Sequence, residues 1–235
     1  MPVLRLGATL APLLLAASFL SAAEIVSITP QRVTPLPMNA GRPARHVVHL
    51  GDGPARLAEA DSLVYDNSSP SAIFFSPGMG TEMADDVHTE LAGILTSFDI
   101  GYFEPNPTST LTLTVRFYGN TPSDDALLEL LAGPYVLQNL PSGPHVFTVT
   151  PPDTVRLDTD LWYSLVFGSS SAGVIVTDPP AVGTSHDLIL DVASLSLRQF
   201  TTAVASFFLR VRVQPEDVAV GEATWSRIKA LYGGP

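Results

Sequence analysis

The sequence predicts an all-β protein, an antiparallel two-sheet β-sandwich that is jelly-roll-like and carries a short C-terminal helix. About ten short segments alternate apolar and polar side chains with the period of a β-strand. Turn-forming clusters of Pro, Gly, Asn and Ser separate these segments in a chain with 21 Pro and 17 Gly. No helical pattern lies between the strands, which favours a sandwich over a parallel sheet with crossover helices.

Composition limits the classes of function. The chain has 235 residues, of which 46% are hydrophobic, so it can bury a core and is not a disordered chain. Its 12 Lys and Arg against 23 Asp and Glu give a net charge of −11 without a basic cluster, which argues against a nucleic-acid partner. The absence of cysteine excludes disulfides, thiolate metal sites and cysteine nucleophiles.

Residues 1–23 have the pattern of a secretory signal peptide. Arg5 supplies the charged start, Leu10–Leu20 form an apolar run, and small residues ending at Ala23 predict cleavage before Glu24. A membrane anchor is the alternative, but the apolar run is shorter than the roughly 20 residues of a spanning helix. No later segment reaches that length. We therefore expect a secreted or cell-surface protein without a transmembrane segment after cleavage.

The rest of the chain divides into three regions. Residues 24–60 form a Pro/Arg-rich arm, with one strand expected over Ala44–Leu50. Residues 61–213 carry the regular alternation of side chains and are predicted to form the β-sandwich domain. Residues 214–235 combine an acidic linker with a short amphipathic C-terminal peptide.

Three strands are predicted most clearly. Ser109–Tyr118 alternates Leu, Val and Phe with Thr and Arg, so one face is apolar and the β-branched residues support a strand. Leu161–Phe167 is apolar on both faces, which predicts burial between layers. Val204–Val213 places apolar residues on one face and Arg210 and Arg212 on the other. Shorter strands are expected at Ser62–Tyr65, Ala72–Phe75, Leu95–Phe103, Pro134–Leu137, His145–Thr150, Thr154–Leu157, Gly173–Thr177 and Asp187–Leu190.

The C-terminal peptide has the spacing of an amphipathic helix. Trp225, Ile228 and Leu231 recur at every third residue, and Thr224 is suited to cap the first turn. A helix of about two turns does not hold in isolation, so its apolar stripe needs a docking surface. That surface is either the chain's own sandwich or a binding partner.

A set of short stretches connects the chain with a known kind of domain. These stretches are YDNSSPSAIFFSPGMGTEMADDV at Tyr65–Val87, LTSFDIGY at Leu95–Tyr102, TVRFYGN at Thr114–Asn120, GPYVL at Gly133–Leu137, DPPAVGTSHD at Asp178–Asp187 and FFLRVRV at Phe207–Val213. Together they resemble a β-sandwich domain of secreted bacterial proteins, many of which carry a PEP-CTERM sorting tail. The resemblance spans residues 63–213 and implies an exported, surface-associated or matrix-associated protein, without catalytic residues to carry over. Residues 214–235 lack a Pro-Glu-Pro motif, an apolar span and a terminal basic cluster, so anchoring by that sorting route is not expected.

A cluster of carboxylates follows Gly80. Glu82, Asp85 and Asp86 crowd into five residues, and Asp66 lies in the preceding loop. Carboxylates at this density repel one another, and calcium, which takes about six to eight oxygen ligands, relieves the repulsion. The sequence therefore predicts a candidate calcium site at these four acidic residues, with a solvated acidic turn as the alternative.

Two other functions depend on single residues. Tyr118 lies on the Thr/Arg face of its strand, so its ring is a candidate for stacking on a sugar in a carbohydrate-binding module. A glycoside hydrolase using Glu82 or Asp86 would need two carboxyl groups on either side of the sugar, a geometry that sequence spacing does not predict.

We therefore expect a non-catalytic exported structural or adhesion module, with calcium as a candidate stabilising ion. Its expected partner is an extracellular protein or a polysaccharide.

Overall fold

In the computed structural model, the described residues are 26–28, 33–35, 43–50, 61–69, 73–108, 110–119, 128–177, 179–200 and 206–215. Within these ranges, every regular secondary-structure element is a β-strand. No helix within them is long and apolar enough to cross a membrane. The predicted signal peptide at 1–23 and the predicted C-terminal helix with Trp225, Ile228 and Leu231 lie outside the described residues.

The alternating segments of the described chain form seventeen strands. In order they are β1 (Val26–Ile28), β2 (Val33–Pro35), β3 (Ala44–His49), β4 (Ser62–Asn67), β5 (Ile73–Phe75), β6 (Glu82–His88), β7 (Gly93–Glu104), β8 (Leu111–Gly119), β9 (Glu129–Leu140), β10 (Gly143–Thr150), β11 (Arg156–Leu157), β12 (Asp160–Phe167), β13 (Gly173–Thr177), β14 (Ile189–Asp191), β15 (Ser196–Phe200), β16 (Ser206–Phe207) and β17 (Leu209–Pro215). Strand β13 has the bounds that the sequence predicts, whereas β9 extends beyond the predicted Pro134–Leu137 in both directions.

The strands form two sheets, which we call the small sheet and the large sheet. The small sheet has seven strands in the order β1-β15-β14-β6-β12-β8-β9. The large sheet has ten strands, six of which lie in the order β2-β5-β13-β7-β10-β3. The other four are attached beside this path: β11 and β17 pair with β7, β16 pairs with β13, and β4 pairs with β17. Paired strands run antiparallel except β1–β15 and β3–β10, which are parallel. The predicted all-β class with mainly antiparallel sheets is confirmed.

The inner faces of the two sheets share one hydrophobic core. On β8 the apolar residues Leu113, Val115 and Phe117 are fully buried, and the residues between them are more exposed. Phe117 meets Phe98 of β7 edge to face, with ring centroids 5.2 Å apart, so side chains from both sheets interlock. Each such buried side chain stabilises the fold by roughly 1.5–3 kcal/mol. The architecture of the described residues is β-sandwich-like.

Strand β12 differs from its prediction. Its two apolar faces predicted burial between layers, but only one face lies between the sheets. Leu161 and Tyr163 enter the core, whereas Trp162 packs on the outer face of the small sheet with Ala84 and Leu190. The second apolar face is thus covered by a small outer cluster of side chains, because apolar residues of β6 and β14 lie beside it.

Residues 24–60 contribute strands to both sheets. The strand expected over Ala44–Leu50 occurs as β3, which pairs with β10 at one edge of the large sheet. Strand β1 pairs with β15 in the small sheet, and β2 pairs with β5 in the large sheet. The Pro/Arg-rich arm therefore ties into the sandwich at three places through its described residues.

The acidic segment after Gly80 is also different from the expected turn. Glu82–His88 form β6, which lies inside the small sheet between β14 and β12. A solvated turn is therefore wrong for these residues. Adjacent aspartates are unusual in a central strand, and each one here has its own hydrogen-bond partners.

Candidate functional site

The residues of the predicted calcium site lie on different surfaces of the sandwich. Along β6 successive side chains point to opposite faces, so Glu82 and Asp86 face outward and Asp85 faces the interior. Asp66 lies on β4 in the large sheet. Among the residues that the structure describes, no group of three or more His, Asp or Glu side chains is placed to hold a metal ion. The structure thus does not bring the predicted ligands together.

Glu82 is the centre of a polar network on the outer face of the small sheet. Its Oε1 accepts hydrogen bonds from the Tyr118 hydroxyl at 2.9 Å and from the Ser164 hydroxyl at 2.7 Å. Its Oε2 forms a salt bridge with Nη1 of Arg116 at 2.9 Å. These residues meet because β6, β12 and β8 are neighbours in the sheet. We call Glu82, Arg116, Tyr118 and Ser164 the Tyr118 cluster.

The ring of Tyr118 is half-buried beside this ion pair. Burial, followed by the hydrogen bond to Glu82, raises the pKa of Tyr118 to about 12, so its hydroxyl stays a donor at neutral pH. Trp162, opposite Tyr118 on β12, is only 4% exposed and is not available as a second ring. Leu130, opposite Tyr118 on β9, is exposed. The structure thus joins two residues, Glu82 and Tyr118, that the sequence assigned to different sites.

Asp86 holds the loop of residues 185–188 against β6. Its Oδ1 accepts hydrogen bonds from the Leu188 amide at 2.8 Å and the Ser185 hydroxyl at 3.1 Å. Its Oδ2 accepts from the amide of His186 at 2.6 Å and lies 3.0 Å from Nδ1 of the same residue. Because protein donors surround both oxygens, the charge of this carboxylate is balanced without a cation. Sequence reasoning missed this role because the loop lies about a hundred residues away.

Asp85 links the two sheets from inside the core. Its carboxyl is fully buried, and Oδ2 accepts a hydrogen bond at 2.7 Å from the amide of Phe207 in β16. Its Oδ1 and the hydroxyls of Tyr65 and Tyr163 are buried without a hydrogen-bond partner in the described part of the chain. Burial, reinforced by the charge of Asp86, raises the pKa of Asp85 well above its usual range, against the opposite effect of the Phe207 amide.

Replacement of Asp85 by asparagine should flatten the pH dependence of stability. Because its pKa is raised, Asp85 keeps its proton to a higher pH in the folded protein than in the unfolded chain, which ionises it at about pH 4. The folded state then binds more protons, so the free energy of unfolding falls as the pH rises from about 4 through the raised pKa. Asparagine keeps an acceptor for the Phe207 amide and does not ionise. Urea unfolding at pH 4 to 8 should show the variant gaining stability relative to wild type as the pH rises. The same pH dependence of the free energy of unfolding in both proteins would contradict this role of Asp85.

A second ionic cluster lies on the outer face of the large sheet. Asp99 of β7 is almost completely buried, and Arg210 and Arg212 of β17 each lie 3.5 Å from its carboxylate oxygens. Arg45 of β3 comes within 3.9 Å, and Arg210 also pairs with Asp66 at 3.2 Å. Asp66 is thus committed to an arginine. The alternation of β17 predicts that its arginines face outward, but nothing near them in sequence indicates Asp99 as their partner.

Comparisons with known proteins add no relative to this picture. Neither the family models, nor the curated proteins, nor the solved structures gave a match to the chain. The function of the chain is therefore inferred from its own residues. The resemblance of residues 63–213 to the domain of PEP-CTERM-type exported proteins stays an expectation from the sequence.

Proposed function

We propose that the chain is a non-catalytic exported module with a structural or adhesive role at the cell surface or in the extracellular matrix. The main observation behind this proposal is that the clustered carboxylates Glu82 and Asp86 already bind other groups of the chain. Glu82 is held by an arginine and two hydroxyls, and Asp86 by the loop of residues 185–188. A glycoside hydrolase needs one carboxyl free to protonate the leaving group and a second facing the sugar. The pattern of contacts supports structural roles for these groups instead.

Export is the part of the proposal that comes from the sequence. The pattern of residues 1–23 supports secretion, and the resemblance over residues 63–213 supports a surface or matrix location. The shared core between two mainly antiparallel sheets supports a jelly-roll-like sandwich as the finer description of the fold. Calcium is not part of the proposal, because its predicted ligands point to different surfaces and have protein partners.

Fractionation of bacteria that express the full chain tests this proposal. We expect the protein in the surface or medium fraction, with a mass that corresponds to a start at Glu24. A matched chain that begins at Glu24 should stay in the cytoplasm. A panel of glycoside substrates should give no turnover. An uncleaved chain that stays inside the cell, or hydrolysis of a glycoside that is lost with Glu82→Gln, would overturn the proposal.

Carbohydrate binding is a second candidate function, favoured by the Tyr118 cluster. A half-buried aromatic ring can stack on a pyranose, and the neighbouring Glu82–Arg116 pair offers both an acceptor and a donor for sugar hydroxyls. The exposed Leu130 of β9 lies opposite Tyr118, and the exposed Val136 lies further along β9, opposite Thr114. The ligand that fits is a polysaccharide with hydroxyl-rich rings.

Replacement of Tyr118 by alanine should weaken such binding at least about tenfold, which corresponds to about 1.4 kcal/mol. Affinity electrophoresis in gels that contain single polysaccharides measures the retention. Tyr118→Phe keeps the ring and should retain most of the binding. Val47→Ala, on the outer face of the large sheet, is the matched surface control and should bind like the wild type. If no polysaccharide retains the wild-type chain, this second function is wrong while the structural role stands.

A further inference from the structure

Two histidines fasten an edge strand to the large sheet. His46 lies on β3 and His145 on β10, and their rings join through a hydrogen bond of 2.9 Å between Nε2 of His46 and Nδ1 of His145. The His46 ring also stacks on Phe147, with centroids 4.6 Å apart. Within the described residues β3 pairs with β10 alone, so this side-chain contact reinforces the only ladder that holds the strand.

The protons of this pair can be assigned from the hydrogen bonds. Nε2 of His145 lies 2.8 Å from the carbonyl oxygen of Ser142, which only accepts, so Nε2 carries a proton. In a neutral His145 the other nitrogen, Nδ1, is then an acceptor, and Nε2 of His46 must donate to it. The bond between the rings therefore holds one proton.

The pair responds differently to a first and a second added proton. One added proton places N–H on Nδ1 of His145, which then donates to Nε2 of a neutral His46, and the bond survives with reversed direction. A second proton puts N–H groups on both facing nitrogens. The hydrogen bond is then lost and two positive charges face each other at 2.9 Å.

The ionisable side chains that face the pair from β7 already have other hydrogen-bond partners. Tyr102 and Glu104 face it from β7, where Tyr102 donates to the carbonyl of Pro141 and Oε1 of Glu104 accepts from Ser171 and from the amide of Asn106. On the other face of β3, Arg45 approaches Asp99 and His49 is exposed. Among the described residues, neither imidazole of the pair forms an ion pair with a carboxylate.

We propose that His46 and His145 form an acid-operated clasp whose double protonation releases β3 from β10. Histidine is the side chain that ordinarily gains its charge between about pH 5 and 8. Release of β3 bares the outer edge of β10, with unpaired backbone donors and acceptors that can take another strand. The clasp is a conformational device that is independent of the proposed surface role.

Amide hydrogen exchange of the full chain at about pH 7.5 and about pH 4.5 tests the clasp, after correction for the intrinsic effect of pH on exchange. We expect protection of the β3 amides to fall at least about tenfold in acid, while amides shared by β7 and β17 stay protected. Unchanged protection in β3 would overturn the proposal. Equal loss of protection in β7 would also overturn it, because that result indicates global unfolding.

Two variants separate the clasp from a general response to acid. His46→Phe keeps the stack on Phe147 and takes up no proton, so protection of β3 should be the same at both pH values. His46→Gln, which also does not titrate there, serves the same purpose if the phenylalanine variant folds poorly. His49→Gln, on the opposite face of β3, should respond to acid like the wild type. Acid release that persists in both His46 variants would show that the pair is not the switch.

Discussion

Replacement of Asp86 by alanine is expected to lower the free energy of unfolding by about 4 kcal/mol, because hydrogen bonds to a charged group contribute roughly 1.5–3 kcal/mol each. The carboxylate accepts from two backbone amides, His186 and Leu188, and both amides lose their acceptor in the variant. Leu188 also packs against the outer cluster around Trp162, so that contact loosens with the loop. Thermal unfolding should show Tm about 8–16 °C lower.

The matched control for this variant is Asp160→Ala on the neighbouring strand β12. Asp160 is 70% exposed and pairs with His88 at the surface, so its loss should cost at most about 1 kcal/mol. Asp86→Asn should fall between the two, because the amide keeps one acceptor for the loop. Equal stability of Asp86→Ala and Asp160→Ala would show that the loop of residues 185–188 does not depend on this carboxylate.

Replacement of Asp99 by alanine is expected to cost about 3 kcal/mol, because removal of one partner leaves buried charge without compensation. Arg210 and Arg212 lie on the same face of β17, with 20% and 27% side-chain exposure. Without Asp99 between them, their charges would repel each other. Arg210 keeps Asp66 as a partner, which limits the loss. Denaturant unfolding should show a lower midpoint with an unchanged slope, and Tm should fall by about 6–12 °C.

Arg45→Gln is the control for the Asp99 cluster. Arg45 is 57% exposed and lies 3.9 Å from Asp99, so its contribution should be below about 1 kcal/mol. The double variant Asp99→Ala with Arg212→Leu should recover part of the lost stability, because it removes one of the unpaired charges. A double variant that is less stable than Asp99→Ala alone would contradict an electrostatic cause.

Local alternation was enough to predict most strands of the sandwich. Strand β8 places Leu113, Val115 and Phe117 in the core as its sequence indicates, since a period of two is visible within nine residues. The bounds of β13 are also correct, because the strand begins at Gly173 and its apolar run ends before Asp178 in the sequence. Such strands can be predicted from their own sequence, without information about the strands that pair with them.

Strand β6 shows where local reasoning fails. From the sequence, adjacent aspartates predict a turn or a metal-binding loop. The hydrogen-bond donors that stabilise them here are distant in sequence. The partner of Asp85 is the amide of Phe207, and the partners of Asp86 lie in residues 185–188. Only the pairing of β6 with β14 and β12, and its contact with β16, brings these groups within reach.

The candidate binding face was predictable in part. The position of Tyr118 on the polar face of its strand follows from alternation, and it suggests contact with solvent or a ligand. Its hydrogen bond to Glu82, however, depends on the register of three strands. The accessible part of this face is also smaller than the sequence suggests, because outer side chains cover Trp162.

The order of the strands along the chain has a consequence for the proposed export. The early strands β1 and β3 pair with the much later β15 and β10, and the central β7 pairs with β17, the last described strand. A polypeptide that threads through a membrane pore from its N-terminus delivers these early strands long before their partners arrive. The pairing of β7 with β17 must then wait until Leu209–Pro215 emerge, and sheets with such distant pairing also form slowly. In an exported chain, this topology would delay closure of the sandwich until the last described strand had crossed the membrane.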